Sequence, residues 1–220
     1  EEYVEGIQLS TEHVVLNGEL MTYGLALRDY ESTRQLLPYI IENGGIQCHP
    51  IAMKYLDQVN ELVNRLINAL SISNGVLKFD LIIKDDNIYI LEMATRMSGG
   101  DFASSIIPES LGFNYIKAVI GAFLGLDKYK EELFRNRLKS DGEYKFVSNK
   151  YIIPIGSGIM PRINWPKENY LMRDLFLSEG EEYKPPTNHS ERLGVFVLSD
   201  DDLISLSNRI TNVYKEINLC

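Results

Sequence analysis

Two carboxylates, Asp80 and Glu92, are the residues of this sequence best placed to do chemistry. Both lie in apolar, β-prone runs separated by a short polar stretch, Asp85-Asp86-Asn87, and this pattern predicts a hairpin. If those three residues form the loop, Lys84 faces Ile88 and Asp80 lies directly opposite Glu92 on the same face of the sheet. A loop one residue shorter would place the two acids on opposite faces, so the prediction depends on the hairpin register.

Two carboxylates at such close range repel each other, and a positive group between them would stabilise the arrangement. A hard divalent cation is the natural candidate, since such cations prefer oxygen ligands. Arg96 follows Glu92 by four residues, and Gly99-Gly100 comes shortly after. A cation and a glycine turn beside two acids are typical of a site that holds a polyphosphate and its metal. The alternative, that each acid is a solvated side chain on an exposed strand face, stays open.

The overall composition restricts the class of protein. With 220 residues, 45% of them hydrophobic, the chain can form one large or two small domains. Its net charge of -9 argues against a nucleic-acid partner, which would require a basic surface. No apolar run is long enough to cross a membrane, so we expect no membrane partner. Cys48 and Cys220 are too few for a zinc cluster or a disulfide framework, and they indicate a reducing, cytoplasmic location.

The order of the predicted elements favours an α+β fold, an antiparallel sheet with helices followed by a small α+β domain, because the strands come in hairpins. Asn17-Gly18 predicts a tight turn between two early strands. Apolar residues at helical spacing predict helices over 51–70 and 114–124, and a last helix follows the acidic cap 200–202. The predicted domains are the C-terminal part of a larger domain at 1–127, a linker at 128–149 and a small domain at 150–220.

Three motifs, in this order along the chain, resemble the ATP-grasp superfamily, specifically its carboxylate–amine ligase branch near the carbamoyl-phosphate-synthase-like and amino-acid ligases. Residues 1–10 (EEYVEGIQLS) are similar to the hinge strand that lies along adenine. Asp80 and Glu92 are similar to the family's paired magnesium ligands, and 92–100 (EMATRMSGG) resembles its metal–arginine–glycine signature. A weaker match, 190–195 (SERLGV), is typical of the small C-terminal domain of this branch. Together the motifs span nearly the whole chain.

The resemblance implies that ATP phosphorylates a carboxylate and that an amine or similar nucleophile attacks the acyl phosphate. Asp80 and Glu92 would hold one or two Mg²⁺, and Arg96 would be the catalytic residue that meets the γ-phosphate or the acyl phosphate. The residues that the resemblance assigns to nucleotide or phosphate binding are Glu1, Val4, Gln8, Arg28, Gly99 and Gly100. Arg28 is equally compatible with a solvated strand end.

Two positions depart from the family pattern. Gln8 stands where many relatives carry a ribose-binding Glu, and Ala94 stands where some carry a magnesium-binding Asn. The family's glycine-rich loop over the phosphates is absent, so we expect this chain to be the C-terminal half of a ligase, inactive without the N-terminal half of the same protein. Its expected partners are ATP, a small carboxylic acid and an amine, whose identities stay open, as does the oligomeric state, a homodimer included. The alternative is a degenerate ATP-grasp relative that binds a nucleotide or a partner without catalysis.

Overall fold

The structure, a computed structural model, describes residues 2–217. Its strands, numbered in chain order, are β1 (Ile7–Leu16), β2 (Glu19–Arg28), β3 (Gly45–Gln47), β4 (Gly75–Lys84), β5 (Asn87–Ala94), β6 (Phe146–Ile152), β7 (Gly158–Ile159), β8 (Met172–Leu175), β9 (Glu182–Tyr183) and β10 (Gly194–Asp200). Its α-helices are α1 (Pro50–Met53), α2 (Leu56–Ala69), α3 (Ile107–Leu111), α4 (Tyr115–Phe123), α5 (Asp127–Asn136) and α6 (Leu203–Ile217). Within the described residues, no helix combines the length and the apolar character needed to span a membrane.

The chain divides into two compact units that are not continuous in sequence. The first comprises Glu1–Leu27 and Gln47–Lys145, and the second comprises Arg28–Ile46 and Phe146–Cys220. The longer segment of the second unit begins at Phe146, close to the predicted boundary at 150, but the unit also includes an early segment that the sequence prediction assigned to the first domain. Most of helix α5 and the start of β6 fall within 128–149, the segment predicted to be a linker.

An antiparallel sheet in the order β5-β4-β1-β2 forms the centre of the first unit. The predicted turn at Asn17-Gly18 joins β1 to β2, and both of its residues have positive φ (51° and 82°), the conformation of a two-residue hairpin turn. Leu16 pairs with Glu19 across it. The antiparallel α+β fold class predicted from the hairpin pattern is confirmed.

One face of this sheet packs on helix α2 and forms the core of the unit. Val59 and Val63 of α2 are fully buried beside Phe79 and Leu81 of β4. Each such side chain contributes about 1.5–3 kcal/mol when it leaves water. The apolar spacing that predicts a helix over 51–70 is confirmed, with a break after α1. Because alternate strand residues point to opposite faces, the even-numbered residues of β4, Asp80 among them, are directed away from this core.

The second unit has the strand order β3-β6-β10-β8, in which β10 runs antiparallel to both β6 and β8. Helix α6 packs on these strands, with Leu206 and Val213 fully buried in a core that includes Phe196. The carboxylate of Asp202 accepts a hydrogen bond from the backbone N–H of Ser205 at 2.7 Å, so the acidic cap predicted for the last helix is confirmed.

Candidate functional site

The hairpin β4–β5 brings the two predicted metal ligands together, but through a different turn from the one expected. Lys84 pairs with Asn87, so the prediction that Lys84 faces Ile88 is wrong. The loop consists of Asp85 and Asp86 alone, both with positive φ (51° and 58°). Such a turn matches the right-handed twist of the two strands, and aspartate tolerates its left-handed backbone better than most residues.

A β-bulge in β5 restores the facing of the two acids. Leu81 pairs with Ile90, whereas the next residue of β4, Asp80, pairs with Glu92, so Leu91 is the extra residue. One extra residue shifts the register by one, which returns Glu92 to the same face as Asp80. The predicted opposition of Asp80 and Glu92 is therefore confirmed.

A lysine occupies the space between the two carboxylates. The Nζ atom of Lys78 lies 2.5 Å from Oδ2 of Asp80 and 3.6 Å from Oε1 of Glu92. The Lys78 side chain is 15% exposed, against 32% for Asp80 and 54% for Glu92. The hydroxyl of Ser10 on β1 donates to the other oxygen of Asp80 at 2.6 Å. The positive group that the sequence argument required is thus, in the protein itself, an ammonium group.

The three strands present these groups on one face. Ser10 pairs with Asp80, and Glu12 pairs with Lys78, across β1 and β4. Across β4 and β5, Lys78 pairs with Ala94. Residues two apart in a strand share a face, so serine, glutamate, lysine, aspartate and the second glutamate form a continuous polar surface.

Glu12 is the most buried charged residue of this surface, with an exposed fraction of 0%. Its Oε2 accepts hydrogen bonds from the backbone N–H of Ser98 at 2.9 Å and from the Ser98 hydroxyl at 2.6 Å. Its Oε1 accepts from the hydroxyl of Tyr115 on α4 at 3.0 Å. Burial raises the pKa of Glu12, and the hydrogen bonds from Ser98 and Tyr115, together with the charge of Arg96, act in the opposite direction. Glu12 therefore fastens the segment that follows β5 to the centre of the sheet.

That segment carries the predicted catalytic arginine and the glycine turn. Arg96 is exposed, and its Nη1 donates to the carbonyl of Met97 at 3.1 Å. Gly100 has a positive φ of 60°, which favours glycine. Gly99 is exposed, and a Cβ built on it would meet no atom within 4 Å, so packing does not require glycine there. A bare backbone at Gly99 leaves its peptide groups accessible to a ligand.

The residues predicted to bind the nucleotide are less well defined. Gln8 lies in β1, opposite Ile82, on the same face as Ser10. Val4 precedes β1, which begins at Ile7, so residues 2–6 of the predicted hinge strand are not part of a strand. Glu1 lies outside the described residues.

Arg28 ends β2 and belongs to the second unit. Its guanidinium forms an ion pair with Glu42, and its side chain is 18% exposed. The alternative of a solvated strand end is therefore wrong.

The donor set of the carboxylate pair determines which kind of metal site it could form. Among residues 2–217 no group of three or more histidine, cysteine, aspartate or glutamate side chains could hold a metal ion. Two opposed carboxylates nevertheless fit a Mg²⁺ that arrives with phosphate oxygens and water, because Mg²⁺ is commonly held by one or two carboxylates plus substrate phosphates. The donor set thus fits a shared metal and does not fit a cage made by this chain alone.

Sequence reasoning missed three residues of this surface: Lys78, Ser10 and Glu12. Lys78 stands two residues before Asp80 on the same strand, so alternation alone could have placed its ammonium beside the acids. A weaker signal was present for the other two, since Gln8, Ser10 and Glu12 are polar at alternate positions of a predicted strand.

No family model and no curated protein matches the sequence. Solved structures do match. Phosphoribosylglycinamide synthetase from Anaerococcus prevotii is 19% identical with a TM-score of 0.77, over 100% of this chain and 54% of its own. L-amino acid ligase from Bacillus licheniformis is 17% identical with a TM-score of 0.77, over 97% of this chain and 54% of its own.

A third match is the biotin carboxylase domain of 2-oxoglutarate carboxylase from Hydrogenobacter thermophilus, solved in complex with MgADP, ADP and bicarbonate. It is 13% identical with a TM-score of 0.61, over 98% of this chain and 46% of its own. The chain thus spans about half the length of the solved chains it matches. These likenesses cover nearly all of the chain, and it has the ATP-grasp fold that its motifs resemble.

Proposed function

We propose that this chain forms the metal- and phosphate-binding wall of an ATP- and Mg²⁺-dependent carboxylate–amine ligase, in which a carboxylate is activated as an acyl phosphate. The observation that carries the proposal is the opposition of Asp80 and Glu92, with Arg96 four residues beyond Glu92. The ATP-grasp fold of the chain supports it.

Asp80 and Glu92 would hold Mg²⁺, which would neutralise phosphate charge when it is bound with ATP. Ser10 orients Asp80 by donating to Oδ1, and the other carboxylate oxygen, Oδ2, accepts from Lys78. In phosphoryl transfer the protein contributes mainly position and charge, so this fixed orientation is the part of the work that the strands do.

Arg96 would bind the transferring phosphoryl group, because a planar guanidinium can donate two parallel hydrogen bonds to phosphate oxygens. Its exposure leaves it accessible to such a ligand, and the Glu12–Ser98 contact fixes the backbone two residues later. Gly99 and Gly100 would let backbone amides approach the same group.

A non-catalytic nucleotide-binding module is the second candidate. Ala94 favours it, because this position faces Lys78 and offers no ligand atom to a metal. The two candidates share the binding surface and differ in turnover, so binding alone does not separate them.

The metal assignment is tested by the binding of a fluorescent ATP analogue with Mn²⁺ to the 220-residue chain. We expect Asp80→Asn and Glu92→Gln each to weaken this binding by at least about tenfold, since each removes one charged ligand. The matched control is Asp85→Asn, an exposed acid in the turn of the same hairpin. Equal affinities for all four proteins would show that the carboxylate pair does not hold the metal.

The ligase assignment is tested by activity. We expect the chain alone to release no ADP with any mixture of acids and amines, because it spans about half the length of the solved chains it matches. In a longer protein that contains this chain and has ligase activity, Glu92→Gln should abolish the Mg²⁺-dependent turnover. Turnover that survives this change would contradict the proposed role, and a longer protein that binds Mg²⁺-ATP without turnover would favour the second candidate.

A further inference from the structure

We propose that Lys78 is a built-in counter-ion that makes the carboxylate pair select the metal–nucleotide complex over the free metal ion. The inference rests on the proposed function. It concerns a residue that has no part in the resemblance described above, and it follows from the position of one ammonium group.

Lys78 contacts both carboxylates of the pair. Its Nζ atom lies 2.5 Å from Asp80 and 3.6 Å from Glu92, so it occupies space that a cation shared by both carboxylates would need. Two carboxylates and one ammonium leave a net charge of -1, half the charge that a bare acid pair would offer. A free divalent cation therefore has to displace an ion pair at short range, which weakens its binding.

The neighbours of Lys78 on the adjacent strands offer its ammonium group no other strong contact. Across the strands it faces Glu12 on one side and Ala94 on the other. The carboxylate of Glu12 is already bound by Ser98 and Tyr115, and alanine has no group that could retain the ammonium. The lysine ammonium stands on a flexible four-carbon chain, so it can leave the carboxylates for a nearby anion without movement of the backbone.

A metal that arrives with a triphosphate supplies that anion. The phosphate oxygens would bind the ammonium group while the metal binds the two carboxylates. Every charged group would therefore keep an oppositely charged partner. A free metal ion supplies no such oxygens, and the displaced ammonium would lie beside a divalent cation. Lys78 should therefore oppose the free metal and favour the metal–nucleotide complex.

The test compares two affinities in the same proteins. Free Mn²⁺ is titrated into the 220-residue chain without nucleotide and followed by electron paramagnetic resonance, and Mn²⁺-ATP binding is measured separately. For Lys78→Met we expect free Mn²⁺ to bind at least about tenfold more tightly and Mn²⁺-ATP at least about threefold more weakly than in the unchanged chain. The opposite signs of the two changes are the diagnostic result.

Lys84→Met is the matched control. It removes the same charge from the same strand, six residues away, or about 20 Å along the strand. It should leave both affinities within about twofold, because salt screens charges at that distance. Lys78→Gln gives a second uncharged variant if Lys78→Met does not unfold cooperatively, and Asp80→Asn combined with Lys78→Met should remove the gain in free Mn²⁺ affinity.

The remaining outcomes all count against the inference. If Lys78→Met changes neither affinity, or changes both in the same direction, Lys78 does not select the complex, while the metal assignment stands as long as Asp80→Asn weakens Mn²⁺-ATP binding. If no protein binds Mn²⁺ with or without ATP, both the inference and the proposed metal site are overturned. The two failures are therefore distinguishable.

Discussion

Glu12 accepts two hydrogen bonds from Ser98, although 86 residues separate them in the chain. The contact joins the central strand β1 to the segment that carries Arg96. These hydrogen bonds also explain how Glu12 can be fully buried on this face of the sheet, since hydrogen bonds to a charged group are among the stronger ones in proteins.

Changing Glu12 to Gln should loosen this segment. A glutamine has one acceptor oxygen and an NH₂ group that cannot accept from Ser98, so at least one buried donor loses its partner. We expect the free energy of unfolding to fall by about 1–3 kcal/mol and trypsin to cleave after Arg96 faster than in the unchanged chain. Glu19→Gln, an exposed change at the start of β2, is the control and should alter neither quantity. Equal cleavage rates at Arg96 in both variants would mean that Glu12 does not hold the segment.

Replacement by alanine should destabilise the chain at Gly24 and leave its stability nearly unchanged at Gly99. A Cβ on Gly24 would lie 2.5 Å from Cε1 of Phe102 and 2.8 Å from Cβ of Glu12, so a ring or a strand must shift. We expect Gly24→Ala to lower the free energy of unfolding by about 1–3 kcal/mol. Gly99→Ala, whose Cβ meets nothing within 4 Å, should leave it within about 0.5 kcal/mol.

Urea unfolding of both variants checks this difference. If space around Phe102 is the cause, adding Phe102→Leu should recover part of the loss from Gly24→Ala. Equal losses for the two glycines would contradict the packing described here. Under the proposed function, Gly99→Ala should instead weaken Mn²⁺-ATP binding, because the new methyl group crowds the backbone that a phosphate would approach.

His13 should make the stability depend on pH. Its ring nitrogens contact the hydroxyls of Thr11 at 2.7 Å and Thr22 at 2.8 Å, and complete burial lowers its pKa from 6.5 to about 3. Below pH 6.5 the unfolded chain takes up a proton that the folded chain refuses. The free energy of unfolding should therefore fall as the pH drops from about 6.5 towards 3, by up to about 1.4 kcal/mol per pH unit from this residue.

Urea unfolding between about pH 7 and pH 4 measures this dependence, and His13→Asn removes the titrating group. The variant should be less stable at neutral pH but should lose less stability on acidification. His49→Asn, a change at a partly exposed histidine, is the control and should keep most of the pH dependence. A pH slope that is the same in the unchanged chain and in His13→Asn would refute the prediction.

Cys48 should be inert in the folded chain. It is fully buried, and burial raises the pKa of its thiol to about 12, which suppresses the reactive thiolate. In a Cys220→Ser background we expect a disulfide reagent to label Cys48 at least about a hundredfold more slowly in buffer than in urea, because labelling requires local opening. Cys48→Ser, which retains Cys220, gives the comparison for reagent reactivity. Similar rates in buffer and in urea would show that the site is accessible.

The facing of Asp80 and Glu92 could be predicted from the sequence, but the structure reaches it by another route. The prediction assumed a three-residue loop and a regular ladder, whereas the protein has a two-residue turn and a bulge at Leu91. A third loop residue and a bulge each add one residue between the two acids, and the amino-acid composition of the hairpin does not distinguish these two possibilities. Asp85 and Asp86 suit a tight turn because aspartate tolerates positive φ, yet nothing in Leu91 itself signals a bulge.

The groups around the pair depend on pairing between distant segments. Ser10 contacts Asp80 across 70 residues and Glu12 contacts Ser98 across 86. The first contact follows from the register of β1 against β4, and the second from the path of the chain after β5. A sequence pattern identifies strands and their faces but does not determine which strand lies beside which. The inclusion of Arg28–Ile46 in the second unit escaped prediction for the same reason.

The bulge at Leu91 has a consequence for recognising such sites in other chains. A separation of twelve residues between two acids of a hairpin is compatible with a longer loop and straight strands, or with a tight turn and a local bend beside the acids. In the second case the irregular residue lies next to the acids instead of in the solvent, and the local twist increases there. Chains with the same spacing can therefore direct their acids at different angles, so a search based on spacing alone would group together sites of different geometry.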